Sequence, residues 1–430
     1  MSFWINRLCA VLLLLPLALS AAQAQLRGHG GPVRALAISP DGTRAVSGSF
    51  DTSAIRWSLK RNVAEQVMRF HDDAVNAVAW LKDGRIVTAG ADAHIAIWTP
   101  GRQAPDTVLN GHTGPIVDLA VSPDGKTLAS ASWDHTARLW PLGGGGARRV
   151  LKGNAQNVNG VAFSPDGGRV ISAGYDATLR IWPLDGESVI VRNLPSPLNT
   201  VAVAPDGEIV AAGATGKVFF LSPNGEMRAE VAASAAPVIQ VALSPDGKLV
   251  AAAGVRGSVA VIDRKNRTLL RTLIGPGLPV WAVVFFPDNR TLLTGGTDRM
   301  IRRWDAVKGE PIDAVVVGAP DDPLAQYAGD HGAQVFRHCV ACHTLSPGEG
   351  NKAGPSLHGI FGRRIASLPG YHYSEALKHM NIVWTPATVS KMFEVGPMKY
   401  TPGTKMPEQK IGSAEDRKAL MEFLAKATTK

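Results

Sequence analysis

The stretch GHTGPIVDLAVSPDGKTLASASWDHTARLW, residues 111–140, holds two apolar alternations separated by a turn tetrad, then a second tight turn and a closing tryptophan. Thr127-Leu128-Ala129-Ser130-Ala131 alternates with the period of two that suits strands, as does Val33-Arg34-Ala35-Leu36-Ala37-Ile38 earlier in the chain. Between such runs stand Ser122-Pro123-Asp124-Gly125 and its counterparts Ser39-Pro40-Asp41-Gly42, Ser164 to Gly167 and Ser244 to Gly247, all with turn chemistry. Trp57, Trp98, Trp140, Trp182, Leu221, Ile262 and Trp304 each end a strand-like segment, at intervals of 41, 42, 42, 39, 41 and 42 residues. That period is the length of a four-stranded propeller blade. A blade cannot bury both faces alone, so seven units predict one closed all-β domain over residues 25–317.

Composition agrees with a folded chain of many short turns. Among 430 residues, 45 Lys and Arg stand against 36 Asp and Glu, a net +9, and only 19% of residues are charged, too few for a disordered polyelectrolyte. The 45 glycines and 29 prolines, with no collagen period, disfavour long helical bundles. The positive charge is spread along the chain, which argues against a nucleic-acid partner.

The repeats resemble the WD40 family. Gly28-His29, Phe70-His71 and Gly111-His112 match its histidine position, and Asp51, Asp92 and Asp134 follow before the terminal tryptophans. With Ser47, Thr88 and Ser130 these imply a His, Ser/Thr, Asp, Trp network inside each blade. A catalytic imidazole–carboxylate pair is the alternative, but a pair repeated three times reads as packing. Blade four has Asn154 in place of the histidine, blade seven keeps Asp298 and Trp304 without it, and blades five and six end in Phe220-Leu221 and Ile262-Asp263. That thinning fits either a docking side or plain repeat divergence. For ring closure, Ile312 to Val317 has β composition and is expected to complete blade seven from the C-terminal side, because little chain precedes Gly28 once a leader is removed.

A leader is expected at residues 1–24: Arg7, an apolar run from Leu8 to Leu19 broken by Pro16, and the small-residue site Ala22-Gln23-Ala24 form a secretory signal peptide too short to span a membrane. Its removal predicts a periplasmic protein with no stable membrane span, a net charge of +8, and two cysteines, Cys339 and Cys342. In an oxidising compartment such a pair is a tight disulfide, a metal site or a covalent cofactor anchor, and His343 directly after it favours the anchor for a c-type haem. Both thiols can form thioethers to one porphyrin while His343 presents its imidazole to the iron.

Residues 329–430, beyond a linker at 318–328, resemble the mitochondrial cytochrome c and bacterial cytochrome c2 group, an all-α class I cytochrome c. The matching elements are Gly332 and Phe336, Gly354 to Gly359, Phe361-Gly362-Arg363-Arg364, Ile382-Val383-Trp384 and Tyr400-Thr401-Pro402-Gly403-Thr404-Lys405-Met406. The resemblance implies one covalently attached haem c, with Cys339 and Cys342 as thioether residues, His343 as proximal and Met406 as distal iron ligand. It also implies that the Pro355 carbonyl orients His343 and that Trp384 and Tyr373 bond a propionate, although a core role accounts equally for those two. Met380, Met392, Met398 and Met421 are the rival methionines. Leu377 replaces an asparagine of the mitochondrial form, and Pro407-Glu408 replaces the pattern that covers the haem edge.

An iron with both axial positions filled has no site for substrate, so the expected role is one-electron transfer between periplasmic donor and acceptor proteins, not catalysis. The propeller would serve as a docking platform. The alternatives are a scaffold whose haem is a redox sensor or structural module, and a subunit of an oxidoreductase complex. From residue 329 onward 13 basic residues face 8 acidic ones, so acidic partners are plausible, steered by Lys391, Lys399 and Lys405, with a solvated basic surface as the plain reading. Neither domain requires self-association.

Overall fold

The computed structural model describes residues 25–429, except 144–145, 148, 187, 276–277, 313–323, 338, 341–342, 348–353, 370, 372, 405 and 407–409. The leader at 1–24, Cys342, Lys405, Pro407, Glu408 and most of the linker therefore lie outside the described residues.

Seven antiparallel sheets form the propeller. In blade three the order is Ile116–Val121, Thr127–Ser132, Thr136–Pro141, Arg149–Lys152, from the axis outward, and the other blades repeat it. Successive innermost strands touch, and Val280–Phe285 of blade seven touches Val33–Ile38 of blade one, so the ring is closed. Second strands such as Thr127–Ser132 and Arg169–Gly174 are buried almost throughout, because neighbouring blades cover both faces. That explains their small residues. At Gly48, in the second strand Arg44–Ser49, an added Cβ would stand 2.8 Å from the Val75 carbonyl oxygen of the next blade.

All seven innermost strands carry a register shift at one position, between Val33 and Ala35 in blade one and between Val280 and Ala282 in blade seven. Such a bulge re-aims the neighbouring side chains, and several of them bond across to the next blade. Asn76 Nδ2 donates to the Ile116 carbonyl (3.1 Å), Asn159 to Leu198 (3.0 Å) and Asn199 to Val238 (2.8 Å). Asp118 Oδ2 accepts from the Val161 N–H (2.9 Å) and Gln240 Oε1 from the Val283 N–H (2.8 Å).

The expected blade network is present. In blade three His112 Nδ1 lies 2.7 Å from Asp134 and Nε2 2.7 Å from Ser130 Oγ, which also accepts from Trp140 Nε1 (2.8 Å). Blades one and two repeat it with His29, Asp51, Ser47, Trp57 and His71, Asp92, Thr88, Trp98. In blade four Asn154 turns to Asp176 and Thr178, and Ser172 keeps only Trp182. In blade seven Asp298 pairs with Arg302. Blades five and six rely on buried Phe219, Phe220, Leu221 and Ile262, and also on a feature the sequence did not announce: buried Glu208 accepts from Arg264 (2.9 Å) and Arg267 (3.0 Å), which ties the two blades together.

Closure differs from expectation. The strand Leu26–Arg27 pairs antiparallel with Met300–Asp305, Leu26 opposite Ile301 and Arg27 opposite Met300. Glu310–Pro311 pairs with the far end of the same strand, and the Ile312 N–H donates to Arg303 (3.1 Å), while 313–317 lie outside the described residues. The N-terminal segment thus supplies part of the outer edge despite its shortness. Leu26, 3% exposed, is buried among Ile55, Trp57 and Ile301, which a polar residue there could not do.

The C-terminal domain contains helices His331–Phe336, Glu375–Lys378, Pro386–Val395, Pro397–Tyr400 and Ala414–Ala427. Asp330, Thr385 and Ser413 cap the first, third and fifth by accepting backbone N–H bonds. The first and last pack together as expected, so closely that a Cβ on Gly332 would stand 2.1 Å from the Ala419 oxygen. No helix among the described residues is long and apolar enough to cross a membrane.

Two stability predictions follow from this packing. Ser130→Ala orphans both His112 and Trp140 and should cost about 2–4 kcal/mol, whereas Ser172→Ala orphans only Trp182 and should cost about 1–2 kcal/mol, read by denaturant unfolding. Asp118 behaves oppositely to the network aspartates: burial pushes its carboxyl up to about 7, against the Val161 and Leu119 N–H bonds and the Arg34 charge. Between its unfolded value of about 3.9 and about 7 the folded state holds a proton that the unfolded state has lost, so stability falls as pH rises, by up to about 1.4 kcal/mol per unit. Asp118→Asn should remove that slope, with a lower baseline because one of the two N–H groups loses its acceptor. A slope unchanged in the variant would assign it to another group.

Candidate cofactor site

The attachment segment begins on the turn after His331–Phe336. Cys339 is buried in the domain core with Phe336, Leu345, Leu357 and Phe423. The His343 N–H donates to the Cys339 carbonyl (3.0 Å), which holds the backbone of the imidazole residue close to that of the thiol residue. His343 Nδ1 stands 2.7 Å from the Pro355 carbonyl oxygen. A carbonyl only accepts, so Nδ1 carries the proton and the lone pair falls on Nε2, the tautomer a metal requires.

Met406 packs half-buried against the same core that holds Cys339. Its loop is pinned: Met406 N–H donates to Thr404 Oγ1 (3.1 Å), and Ser374 Oγ donates to the Gly403 carbonyl (2.8 Å). Gly403 has φ +83°, and a Cβ there would stand 2.6 Å from Ala376 Cβ, so the turn requires glycine. Met392 and Met421 are buried helix residues of the core.

Trp384 and Tyr373 both border Arg363. Trp384 N–H donates to the Arg363 carbonyl (2.9 Å). Tyr373 is half-buried, edge-on to Tyr371 at 4.7 Å, and burial pushes its phenol pKa up, with the Arg363 charge opposing. The Arg363 guanidinium donates to the carbonyls of Ser356 (2.7 Å) and His358 (3.2 Å). Burial lowers its pKa, with Tyr373 opposing. No carboxylate pairs with it among the described residues. A half-buried cation held by neutral carbonyls beside a tyrosine and a tryptophan fits an anionic group, as a haem propionate would supply. Sequence reading placed Arg363 within a matching run without giving it this role; the signal was the pair Arg363-Arg364 directly after Phe361-Gly362, in a stretch with no acidic residue between Glu349 and Glu375. Lys391, expected to steer partners, pairs with Glu394 at 3.1 Å, while Lys399 is exposed.

Two family profiles match this chain: "WD domain, G-beta repeat" over residues 21–58, 63–99, 103–141, 145–183 and 267–305, and "Cytochrome c" over residues 329–428. Cytochromes c from Cochliobolus lunatus and Arabidopsis thaliana are each 46% identical over 98 residues, and that from Stellaria longipes is 45% identical over the same length. These alignments cover 87–90% of the relatives and 23% of this chain. Through its C-terminal domain the chain belongs to the cytochrome c family. WD40 repeats fill its N-terminal region, and the stretch without a repeat match, 184–266, holds the core strands of blades five and six, where the histidine network is lost.

The cytochrome c domain offers an imidazole of fixed tautomer, a thioether, a thiol at the attachment position and a cation with no carboxylate partner among the described residues, a donor set suited to covalently bound haem c. Arg363→Leu should lower the reduction potential of the haem-loaded protein by tens of millivolts. That is the scale of one charge about 10 Å away at an effective dielectric of about 20. Potentiometric titration measures it, and an unchanged potential would leave Arg363 a packing role only.

Proposed function

We propose that this protein is a periplasmic, monohaem c-type cytochrome that carries single electrons between donor and acceptor proteins, with the propeller as their docking platform. Its cytochrome c domain implies electron transfer and its WD40 propeller a scaffold. The observation that best supports the haem reading is the 2.7 Å bond from His343 Nδ1 to the Pro355 carbonyl, which fixes the tautomer of a half-buried imidazole close in sequence to the core residue Cys339. Haem supplies a one-electron ferrous/ferric couple when bound.

The chain's residues do the rest in this reading. Cys339 and Cys342 would tether the porphyrin, and His343 and Met406 would supply the imidazole and thioether that hold the iron, leaving no protein-side position for a substrate. The apolar core around Phe336, Leu357 and Phe423 excludes water. Arg363, Tyr373 and Trp384 would receive a propionate. The domain is an all-α class I cytochrome c, and its excess of basic residues favours partners with acidic docking surfaces. Export is supported by the leader grammar of residues 1–24, and a count of one haem by the single Cys-x-x-Cys-His run.

Expression in a host that matures c-type haem tests this. Pyridine-haem absorbance should give one haem per chain, localised to the periplasmic fraction. Met406→Ala should keep the haem, lower its reduction potential and slow electron exchange with acidic redox proteins. A haem-free protein with a Cys339–Cys342 disulfide, or exchange indifferent to Met406, would overturn the electron-carrier reading.

A further inference from the structure

Gln25 immediately precedes the two-residue strand that closes the propeller. It is 6% exposed, and its side-chain Oε1 and Nε2 are both buried with no hydrogen-bond partner among the described residues. An unpaired buried amide is costly, and no described residue offers Nε2 an acceptor. Leader removal after Ala24, the export reading on which this inference rests, makes Gln25 the first residue and adds an α-amine at the same place. The ordinary pKa of such an amine is about 7.7–8.0, and burial favours its neutral form. A neutral amine is a nucleophile, and the glutamine side-chain carbonyl lies within reach of a five-membered ring.

We infer that the mature N-terminus is closed as pyroglutamate. The α-nitrogen of Gln25 attacks its own Cδ, a new C–N bond forms, the Cδ–Nε2 bond breaks, and ammonia leaves with a proton taken from the amine. The step needs no oxidant, reductant or second substrate. It removes the ammonium charge and the two Nε2 donors from a site where no described residue gives them an acceptor, and leaves a neutral lactam at the head of the strand. It also removes the free amine that an aminopeptidase requires. Trimming past Gln25 would take away Leu26, which fills the core between blades seven and one and pairs with Ile301. The lactam therefore protects the latch of the ring.

The test is the N-terminal peptide of the haem-loaded protein purified from the periplasm. Mass spectrometry should find a peptide that begins at residue 25, one ammonia lighter than the open form and unlabelled by an amine-specific reagent. The same start with full mass and a labelled amine would overturn the lactam while leaving export intact. A peptide beginning upstream of residue 25 would overturn both. Gln25→Asn, which forms no such ring, should label with the reagent and lose residues to an aminopeptidase that spares the wild-type protein. Equal trimming of the two would refute the protective role.

Discussion

Leu26 and Arg27 pair with Ile301 and Met300, and on that short ladder depends the closure of seven blades into one body. The two partners Leu26 and Ile301 are 275 positions apart. Joining them costs about 5 kcal/mol of loop-closure entropy, since that cost grows only with the logarithm of the loop. The ladder's few hydrogen bonds return about 1 kcal/mol each, and burial of Leu26 about 1.5–3 kcal/mol, which leaves little surplus. The ring therefore holds because closure also joins Ala282, Leu293 and Ile301 of blade seven to Val33, Leu36 and Ile55 of blade one in one apolar cluster. The latch sets the register, and the cluster supplies the energy.

Inside the ring, two ways of holding a blade coexist. In blades one to three the aspartates keep their charge in a buried place: burial alone would raise their pKa, but the histidine partners and neighbouring hydroxyl or backbone donors override it, so Asp51, Asp92 and Asp134 are held below the usual range. Their contribution is present above the unfolded carboxylate pKa and lost as acid protonates them. Blades five and six have exchanged this for Phe219, Phe220 and the arginines on Glu208. Both devices satisfy the same requirement, which is that a strand buried on two faces must leave no polar group alone.

The fold was legible where one repeated spacing carried it. Seven strand ends at a near-constant interval needed no alignment, and His112, Ser130, Asp134 and Trp140 meet because turn and strand lengths between them are fixed. Closure was less legible: a two-residue strand has no periodicity, and only the burial of Leu26 reveals it. The bonds from Asn76, Asn159 and Asn199 to the next blade were hidden as well, because a bulge decides their direction and a bulge leaves no mark on apolar alternation. In the cytochrome domain the candidate ligands come from Cys-x-x-Cys-His and the methionine loop, while the role proposed for Arg363 emerged only from its two carbonyl acceptors.

The chain's histidines show how one side chain serves opposite ends. In His29, His71 and His112 both ring nitrogens are occupied, one by a carboxylate and one by a hydroxyl, so the imidazole is a strut with nothing left to bind. His343 bonds a peptide carbonyl instead of a carboxylate. That difference sets chemistry as well as orientation. A carboxylate on Nδ1 would raise the basicity of the ring and favour the more highly charged ferric state, whereas a neutral carbonyl orients the ring without that push. Were Met406 to supply the second ligand of a bound haem, such an imidazole would favour the ferrous state and a higher potential. The Pro355 carbonyl thus selects the tautomer that leaves Nε2 free to bind a metal, and on a haem iron the same bond would keep that ligand a weaker donor than a carboxylate partner would.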